Sequence, residues 1–108
     1  MAQSIGIVGC GAIGQALMRA ADSGKLNVAV AGVTSRNEHR AHEFLGGLDN
    51  PPPYLDRQEL VSRSGLLVET AGGHIVAKLA KEAFAAGKDL MVISIGALLE
   101  NPDIIEEA

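Results

Sequence analysis

The sequence predicts an α/β fold: a doubly wound parallel sheet of about five strands in the order 3-2-1-4-5. Apolar segments suited to buried strands alternate with amphipathic helical segments, which is the pattern of right-handed βαβ units. The apolar share is 47% but only 3% of residues are aromatic, so the core must be aliphatic, as in strands covered by helices on both faces. A chain of 108 residues has the length of one domain, and we expect residues 1–108 to form a single one.

The chain begins with a short apolar strand over residues 4–8, followed by a glycine-rich turn and a helix. Gly24 is placed where a left-handed residue ends a helix. Residues 27–33, NVAVAGV, form the predicted second strand. The first helix is expected to bury an apolar face that consists of Ile13, Ala16, Leu17, Ala20 and Ala21.

Two further helices are predicted from paired capping residues. Ser35 and Glu38 have the spacing of a capping box and open the second helix. Asp56 and Glu59 repeat that spacing before a shorter third helix. Between the two, three successive prolines exclude a central strand, so we expect only a short edge strand near Tyr54.

The last part of the chain repeats the alternation of strand and helix. Residues 65–71, GLLVETA, and 89–95, DLMVISI, are predicted to be buried strands. A helix over residues 75–86 connects them and ends at Gly87. The core face of this helix consists of Ile75, Val76, Leu79, Ala80, Ala83 and Phe84.

Charge and composition argue against several classes of partner. The net charge is −4, no basic run occurs, and only Phe44, Tyr54 and Phe84 are aromatic, so we predict no nucleic-acid partner. No apolar stretch of about 18 residues exists for a membrane span, and the first strand begins too early to leave room for a signal peptide. Because Cys10 is the only cysteine, no internal disulfide can form, and we expect a cytoplasmic location.

The hexapeptide GCGAIG, which starts at Gly9, matches the G-x-G-x-x-G pattern of a Rossmann-type dinucleotide-binding turn, between an apolar strand and a helix. Gly9 permits the tight turn, Gly11 lets the backbone approach a pyrophosphate, and Gly14 lets the helix pack closely on the strand. The amides of Ala12 and Ile13, at the positive end of the helix dipole, would receive the phosphates. The alternative is a tight β–α turn without a ligand.

The second strand leads into Thr34-Ser35-Arg36, which favours NADP over NAD as the cofactor. An NAD site normally places Asp or Glu on the ribose hydroxyls about 20 residues after the last glycine, whereas no carboxylate occurs here before Glu38. Hydroxyls and a guanidinium bind a 2′-phosphate through charge-assisted hydrogen bonds. We therefore predict that NADP is preferred, with Ser35 and Arg36 as the discriminating residues. Alternatively, Ser35 only caps the next helix and Arg36 is a solvated charge.

Small residues follow the fourth and fifth predicted strands, whose carboxyl ends should face the ligand crevice of a doubly wound sheet. Ala71, Gly72 and Gly96 are the main candidates, with Gly73 and Ala97 beside them. Their small side chains would let the nicotinamide ribose approach the main chain.

We predict no catalytic residue and no metal site in this chain. His74 precedes a helix, where a histidine is more often solvated or capping than catalytic. Glu69 at a buried strand end must be paired or solvated, and we assign it a structural role. Cys10 is interpreted as a small filler of the glycine motif rather than as an activated thiol. His39 and His42 lie on the polar face of the second helix, and no spacing of His, Cys or carboxylates suits a metal.

Three segments give the chain a resemblance to a known family. GIVGCGAIG, LLVETAGGHIV and especially AFAAGKDLMVISIGAL resemble the N-terminal cofactor domain of L-aspartate dehydrogenase, which belongs with the homoserine-dehydrogenase-like NAD-binding domains. The resemblance covers about residues 4–105. It implies oxidation of L-aspartate by NAD(P)⁺ to iminoaspartate, which hydrolyses to oxaloacetate and ammonia or feeds NAD biosynthesis. The family often carries an acidic residue after the second strand, where this chain has Thr34-Ser35-Arg36.

The resemblance also implies a C-terminal domain, absent from these 108 residues, that holds the amino-acid substrate and the catalytic histidine. We therefore expect the isolated chain to bind cofactor weakly and to show no turnover. Two alternatives stay open: a homoserine or other small-substrate dehydrogenase domain, and a stand-alone NAD(P)- or CoA-binding regulatory module. Exposed apolar surface near residues 94–99 would favour a homodimer.

Overall fold

The chain folds around a parallel sheet with helices packed on both of its faces, as the sequence predicts. The computed structural model describes residues 4–71 and 73–93, the side chains of residues 73 and 74 excepted. In chain order the elements are β1 (Ser4–Val8), α1 (Ala12–Asp22), β2 (Ala29–Thr34), α2 (Glu38–Leu45), α3 (Arg57–Arg63), β3 (Leu66–Glu69), α4 (Gly73–Ala85) and β4 (Asp89–Val92).

The described residues form four strands in the order β2-β1-β3-β4. Near Tyr54, where an edge strand is expected, the structure has an isolated parallel bridge to Val33. Two hydrogen bonds hold it: the Val33 amide donates to the Pro53 carbonyl oxygen at 3.0 Å, and the Leu55 amide donates to the Val33 carbonyl oxygen at 2.9 Å. Because the three prolines before Tyr54 have no amide hydrogen, the segment cannot extend this ladder.

The register of the sheet brings the carboxyl ends of its strands to one edge. Val8 of β1 is level with Thr34 of β2 and with Glu69 of β3, and Glu69 is level with Val92 of β4. The segments that follow Val8, Thr34 and Glu69 therefore open onto the same crevice, which is where parallel sheets of this type bind ligands.

Successive side chains of β1 pack on opposite faces of the sheet and help to define two cores. Ile7 lies in one core with Met18 of α1 and residues of α2. Val8 lies in the other with Leu60 of α3 and Leu79 of α4. Burying an aliphatic side chain of this size contributes about 1.5–3 kcal/mol, so the strands are held from both sides and their carboxyl ends are fixed.

The buried face of α1 differs from the prediction. Gly14 and Met18 are its buried residues, whereas Ile13 is 49% exposed and Ala16 is also exposed. The prediction was wrong for Ile13 and Ala16. It also left out Gly14, because apolar spacing gives no weight to glycine, whose missing side chain permits the closest approach to the sheet. The other members of the predicted face are half-buried: Leu17, Ala20 and Ala21.

The two predicted capping boxes have different outcomes. At α3 the prediction is confirmed, because the Asp56 carboxylate accepts a hydrogen bond from the Glu59 amide at 2.8 Å. At α2 it is wrong. The N-cap is Asn37, whose Oδ1 accepts from the Arg40 amide at 3.0 Å, and the Ser35 hydroxyl oxygen instead accepts from the Asn37 amide at 3.2 Å.

Two glycines end helices as predicted. Gly24 follows α1 with φ +82° and Gly87 follows α4 with φ +71°, and the Lys88 amide then donates to the Ala83 carbonyl oxygen at 2.8 Å. No helix within residues 4–71 and 73–93 is long and apolar enough to cross a membrane. The predicted core face of α4 is confirmed, with four residues buried and Ile75 and Phe84 half-buried: Val76, Leu79, Ala80 and Ala83.

Candidate functional site

The glycine turn joins the end of β1 to the start of α1 and is fixed by its neighbours. The Gly9 amide donates to the Thr34 carbonyl oxygen at 2.8 Å, which ties the turn to the end of β2. Gly9 has φ +114°, and a Cβ there would lie 2.6 Å from Thr70 Oγ1 and 2.9 Å from the Ala71 amide nitrogen. A side chain at this position is therefore excluded by backbone conformation and by space.

Gly14 allows α1 to pack directly on the turn. A Cβ on Gly14 would collide with the Gly9 carbonyl oxygen and would lie 3.1 Å from Thr70 Oγ1. The predicted role of Gly14 in close helix packing therefore agrees with the geometry.

Gly11 is different, because nothing among the described residues requires a glycine there. Its φ of −89° and ψ of −161° are extended backbone that any residue adopts, and no atom of residues 4–71 and 75–93 lies within 4 Å of a Cβ built on it. The open space lies at the N-cap of α1, where no side chain makes a capping hydrogen bond. A ligand that approaches the main chain is one reason for a glycine at such a position.

The start of α1 presents backbone donors next to this open space. The Gln15 amide makes an intrahelical hydrogen bond to the Gly11 carbonyl oxygen at 2.9 Å. The amides of Ala12, Ile13 and Gly14 precede it and so have no partner four residues back in the helix. Together with the helix dipole, these three donors form a site suited to a diphosphate.

Thr70 supports the turn from the β3 side, and sequence reasoning did not assign it this role. Its amide donates to the Val8 carbonyl oxygen at 2.8 Å, and its hydroxyl lies 3.1 Å from the Val8 and 3.3 Å from the Gly9 carbonyl oxygen. No local pattern reveals these contacts, because Thr70 is about sixty residues away from both partners.

The loop after β2 forms the second wall of the crevice. Ser35 is held by Tyr54, whose hydroxyl donates to the Ser35 carbonyl oxygen at 2.6 Å and lies 3.3 Å from the Ser35 amide nitrogen. Arg36 and Asn37 follow at exposed positions, and Arg40 is exposed in the first turn of α2. Sequence reasoning identified Ser35 and Arg36 but not Tyr54 or Arg40.

Two adjoining cavities lie along the crevice and share four lining residues. One, which we term the apolar-floored cavity, has a volume of about 100 Å³ and is lined by Val8, Gly9, Thr34, Ser35, Arg36, Arg57, Ala71 and Ile75. The other, the glycine-turn cavity, has a volume of about 310 Å³ and is lined by Gly9, Cys10, Gly11, Ser35, Arg36, Asn37, Arg40, Thr70 and Ala71.

Most predicted site residues therefore meet at this crevice. Gly9, Gly11, Thr34, Ser35, Arg36 and Ala71 line one or both cavities. Gly72 and Gly96 lie outside the described residues, as do Ala97 and residues 94–99. The predictions for them stay predictions.

The cysteine, glutamate and histidines considered as candidate reactive groups differ in their burial. Cys10 is buried, and this burial raises the pKa of its thiol, which favours the filler interpretation over an activated nucleophile. Glu69 is fully buried at the end of β3. His39 and His42 lie on the exposed face of α2 beside Glu43 and Glu38. Within the part of the chain that the structure describes, no three His, Cys, Asp or Glu residues are grouped to hold a metal.

Comparison with known proteins identifies the family. The model of the family described as "Homoserine dehydrogenase, NAD binding domain" matches residues 9–108. This chain belongs to that family. Among solved structures, it is similar to a homoserine dehydrogenase from Thiobacillus denitrificans, with 22% identity and a TM-score of 0.77, covering 100% of this chain and 27% of that one.

A myo-inositol dehydrogenase from Lactobacillus casei, solved with NAD(H) and myo-inositol, has a TM-score of 0.83 and 17% identity, covering 99% of this chain and 33% of that chain. At such identities these two likenesses concern the fold.

Curated relatives are more similar in sequence. An L-aspartate dehydrogenase from Methanosarcina mazei is 36% identical over 89% of this chain, and L-aspartate dehydrogenase 3 from Bordetella bronchiseptica is 31% identical over 96%. The chain spans 36% and 39% of the length of these two relatives.

Proposed function

We propose that residues 1–108 are the cofactor-binding domain of an NAD(P)-dependent L-aspartate dehydrogenase. The observation that carries the cofactor assignment is the open space at Gly11, beside the first amides of α1. The curated relatives support L-aspartate as the substrate, since proteins of that name are 31–36% identical over most of this chain. The nicotinamide would accept a hydride from the amino acid, which a C-terminal domain beyond these residues would hold.

Each residue of the crevice has a role in this proposal. The amides of Ala12, Ile13 and Gly14 bind the diphosphate, with Gly9 and Gly11 leaving room for it. Ala71, with Gly72 and Gly96, would let the nicotinamide ribose approach the main chain. The main chain supplies the donors at the turn, so the residues of this chain orient the cofactor and leave proton transfer to the missing domain.

The proposal includes a preference for NADP over NAD. Thr34, Ser35 and Arg36 line the crevice, and the described residues that line its two cavities include no Asp or Glu. A carboxylate on the ribose hydroxyls would repel a 2′-phosphate, whereas guanidinium and hydroxyl groups bind one. Arg40, which also lines the glycine-turn cavity, adds a second cation. Since Asn37 caps α2, the alternative in which Ser35 serves only as the N-cap loses its support.

Calorimetric titration of the chain with NADP⁺ and NAD⁺ tests the cofactor assignment. We expect NADP⁺ to bind more tightly, and Arg36→Ala to weaken NADP⁺ by about tenfold or more while leaving NAD⁺ nearly unchanged. Arg63→Ala, on the exposed side of α3, is the matched control. Tighter binding of NAD⁺, with no effect of Arg36→Ala on NADP⁺, would contradict the preference.

A second experiment tests the substrate. The protein extended by its C-terminal domain is assayed with L-aspartate and with L-homoserine, because the family description also supports a homoserine dehydrogenase. We expect reduction of NADP⁺ with aspartate and none by residues 1–108 alone. Turnover by the isolated chain, or exclusive use of homoserine, would overturn the proposal, and cofactor binding without any dehydrogenase activity would favour a regulatory module.

Three finer points remain part of the proposal. We propose a five-stranded sheet in which the segment at Tyr54 is the edge strand, and the hydrogen bonds on both sides of Val33 support it. A homodimer and a cytoplasmic location also stay predictions. Sedimentation of the purified protein tests the first of these two, and fractionation of its host cell tests the second.

A further inference from the structure

An ion pair connects the two helices on the α3–α4 face of the sheet. Arg57, the first residue of α3, donates from Nε to Glu82 Oε1 of α4 at 2.6 Å, and both side chains are 29% exposed. Arg63 on the same helix makes a pair of the same length with Glu59, but those side chains are 57% and 42% exposed. Of these two pairs, only Arg57–Glu82 is partly shielded from water. Because solvent weakens exposed ion pairs, the Arg57–Glu82 pair holds its geometry more strongly.

Arg57 also lines the apolar-floored cavity of the crevice. Val8 and Ile75 supply apolar surface there, and Arg36 is the second arginine of the lining. The first amides of α1 lie instead beside the glycine-turn cavity, with Arg40 and Asn37. The crevice thus has a part beside the first amides of α1, suited to phosphates, and an adjoining part that combines apolar surface with guanidinium groups.

We infer that Arg57, oriented by Glu82, stacks on the adenine ring of the dinucleotide, which the proposed function brings to the apolar-floored cavity. The inference rests on the proposed function. A guanidinium is planar and packs against aromatic faces, and apolar surface suits the edge and opposite face of a purine. Glu82 already balances the charge of Arg57, so this arginine offers less to a phosphate than to a stacked base. Arg57 is thus a specificity-determining contact, and Glu82 a positioning residue.

Chemical-shift titration of the 108-residue chain with NADP⁺, 5′-AMP and inorganic pyrophosphate tests the inference. We expect Arg57→Met to weaken NADP⁺ and 5′-AMP by the same factor, about three- to tenfold, and to leave pyrophosphate within about twofold. Glu82→Gln should give a smaller loss of the same kind. Arg57→Lys, which keeps the charge without the plane, should resemble Arg57→Met.

Arg63→Met is the matched control, because it removes an ion pair from the same helix away from the crevice. It should leave all three ligands unchanged. If the wild-type chain binds neither NADP⁺ nor 5′-AMP, the proposed function fails. If it binds both and Arg57→Met behaves like Arg63→Met, only the adenine contact fails. The contact is equally overturned if Arg57→Lys restores binding, or if Arg57→Met weakens pyrophosphate as much as 5′-AMP.

Discussion

The hydroxyl of Tyr54 donates to the carbonyl oxygen of Ser35 at 2.6 Å and lies 3.3 Å from the Ser35 amide nitrogen. One phenol therefore satisfies both main-chain groups of the residue that begins the loop after β2. Its ring lies against His42 of α2, with 5.1 Å between ring centroids. The segment at the edge of the sheet thus fixes the loop that we assign to the 2′-phosphate.

Tyr54→Phe should lower the free energy of unfolding by about 1–2 kcal/mol, because it leaves two partly buried main-chain groups of Ser35 without their partner. NADP⁺ affinity should fall more than NAD⁺ affinity, since the 2′-phosphate of NADP⁺ depends most on this loop. Urea unfolding and titration with both cofactors measure the two effects. His42→Ala, which removes the ring contact but keeps the hydroxyl, is the control. Equal losses in the two variants would argue against a role for the hydroxyl.

The two capping boxes show how far local sequence decides a helix start. The helix start predicted from Asp56 and Glu59 is correct, because the chain between them has no competing cap residue. Beyond Ser35 stands Asn37, which is an equally good cap, and the chain uses it. The hydrogen bond from Tyr54 to the Ser35 carbonyl oxygen favours Asn37 as the N-cap, and Tyr54 is 19 positions away from Ser35. The spacing of cap residues cannot predict a contact over that distance.

The geometry of the glycine turn was predictable, whereas its surroundings were not. Gly9 acts through its backbone conformation and Gly14 through close helix packing, which the motif and its position between strand and helix specify. The role of Gly11 stays a prediction. Thr70, Arg40 and Arg57 reach the crevice from three other parts of the chain. Their placement follows from strand order and helix packing, so no pattern in the neighbouring sequence indicates it.

Gly11→Ser separates stability from ligand binding. Serine adopts the extended backbone of this N-cap, and its hydroxyl oxygen can accept from the amide of Ile13 or Gly14. We expect the free energy of unfolding to rise by about 0.3 kcal/mol. The serine side chain would fill the space meant for the diphosphate, and its hydroxyl would occupy a backbone amide that otherwise binds it. Cofactor affinity should therefore fall by about tenfold or more.

Gly46→Ser is the control for this variant, because Gly46 has φ −62° and its nearest atoms lie 3.6 Å from a built Cβ. It should leave cofactor affinity unchanged. Unfolding in urea and calorimetry with NADP⁺ give the two readouts. Undiminished affinity in Gly11→Ser would show that the cofactor does not approach the main chain here.

Gly14→Ala should destabilise the fold by about 1–3 kcal/mol, since its Cβ would collide with the Gly9 carbonyl oxygen and force the turn away from α1. Alanine gains about 1 kcal/mol over glycine in helix propensity, so a net loss identifies the collision. Thermal unfolding measures it, with Gly46→Ala as the reference. A melting temperature at or above that of the wild type would refute close packing of α1 on the turn.

Cys10 should make stability depend on pH in the alkaline range. Burial raises the pKa of its thiol in the folded chain, so the unfolded thiol loses its proton first as pH increases. The unfolded state then binds fewer protons than the folded state, and the free energy of unfolding falls with pH. This contribution is present in full below the ordinary thiol pKa of about 8.5 and is lost as pH rises towards the folded value.

Urea unfolding of wild type and Cys10→Ala between about pH 7 and pH 10 measures this dependence. The alanine variant lacks the titrating group, so it reports every other pH effect on the same fold. We expect the difference in unfolding free energy between the two proteins to be constant below about pH 8 and to shrink above it, because only the wild type loses stability there. A difference that stays constant or grows at high pH would mean that the folded thiol is at least as acidic as the unfolded one. Cys10 could then be a reactive thiolate beside the diphosphate site, contrary to its interpretation as a buried filler.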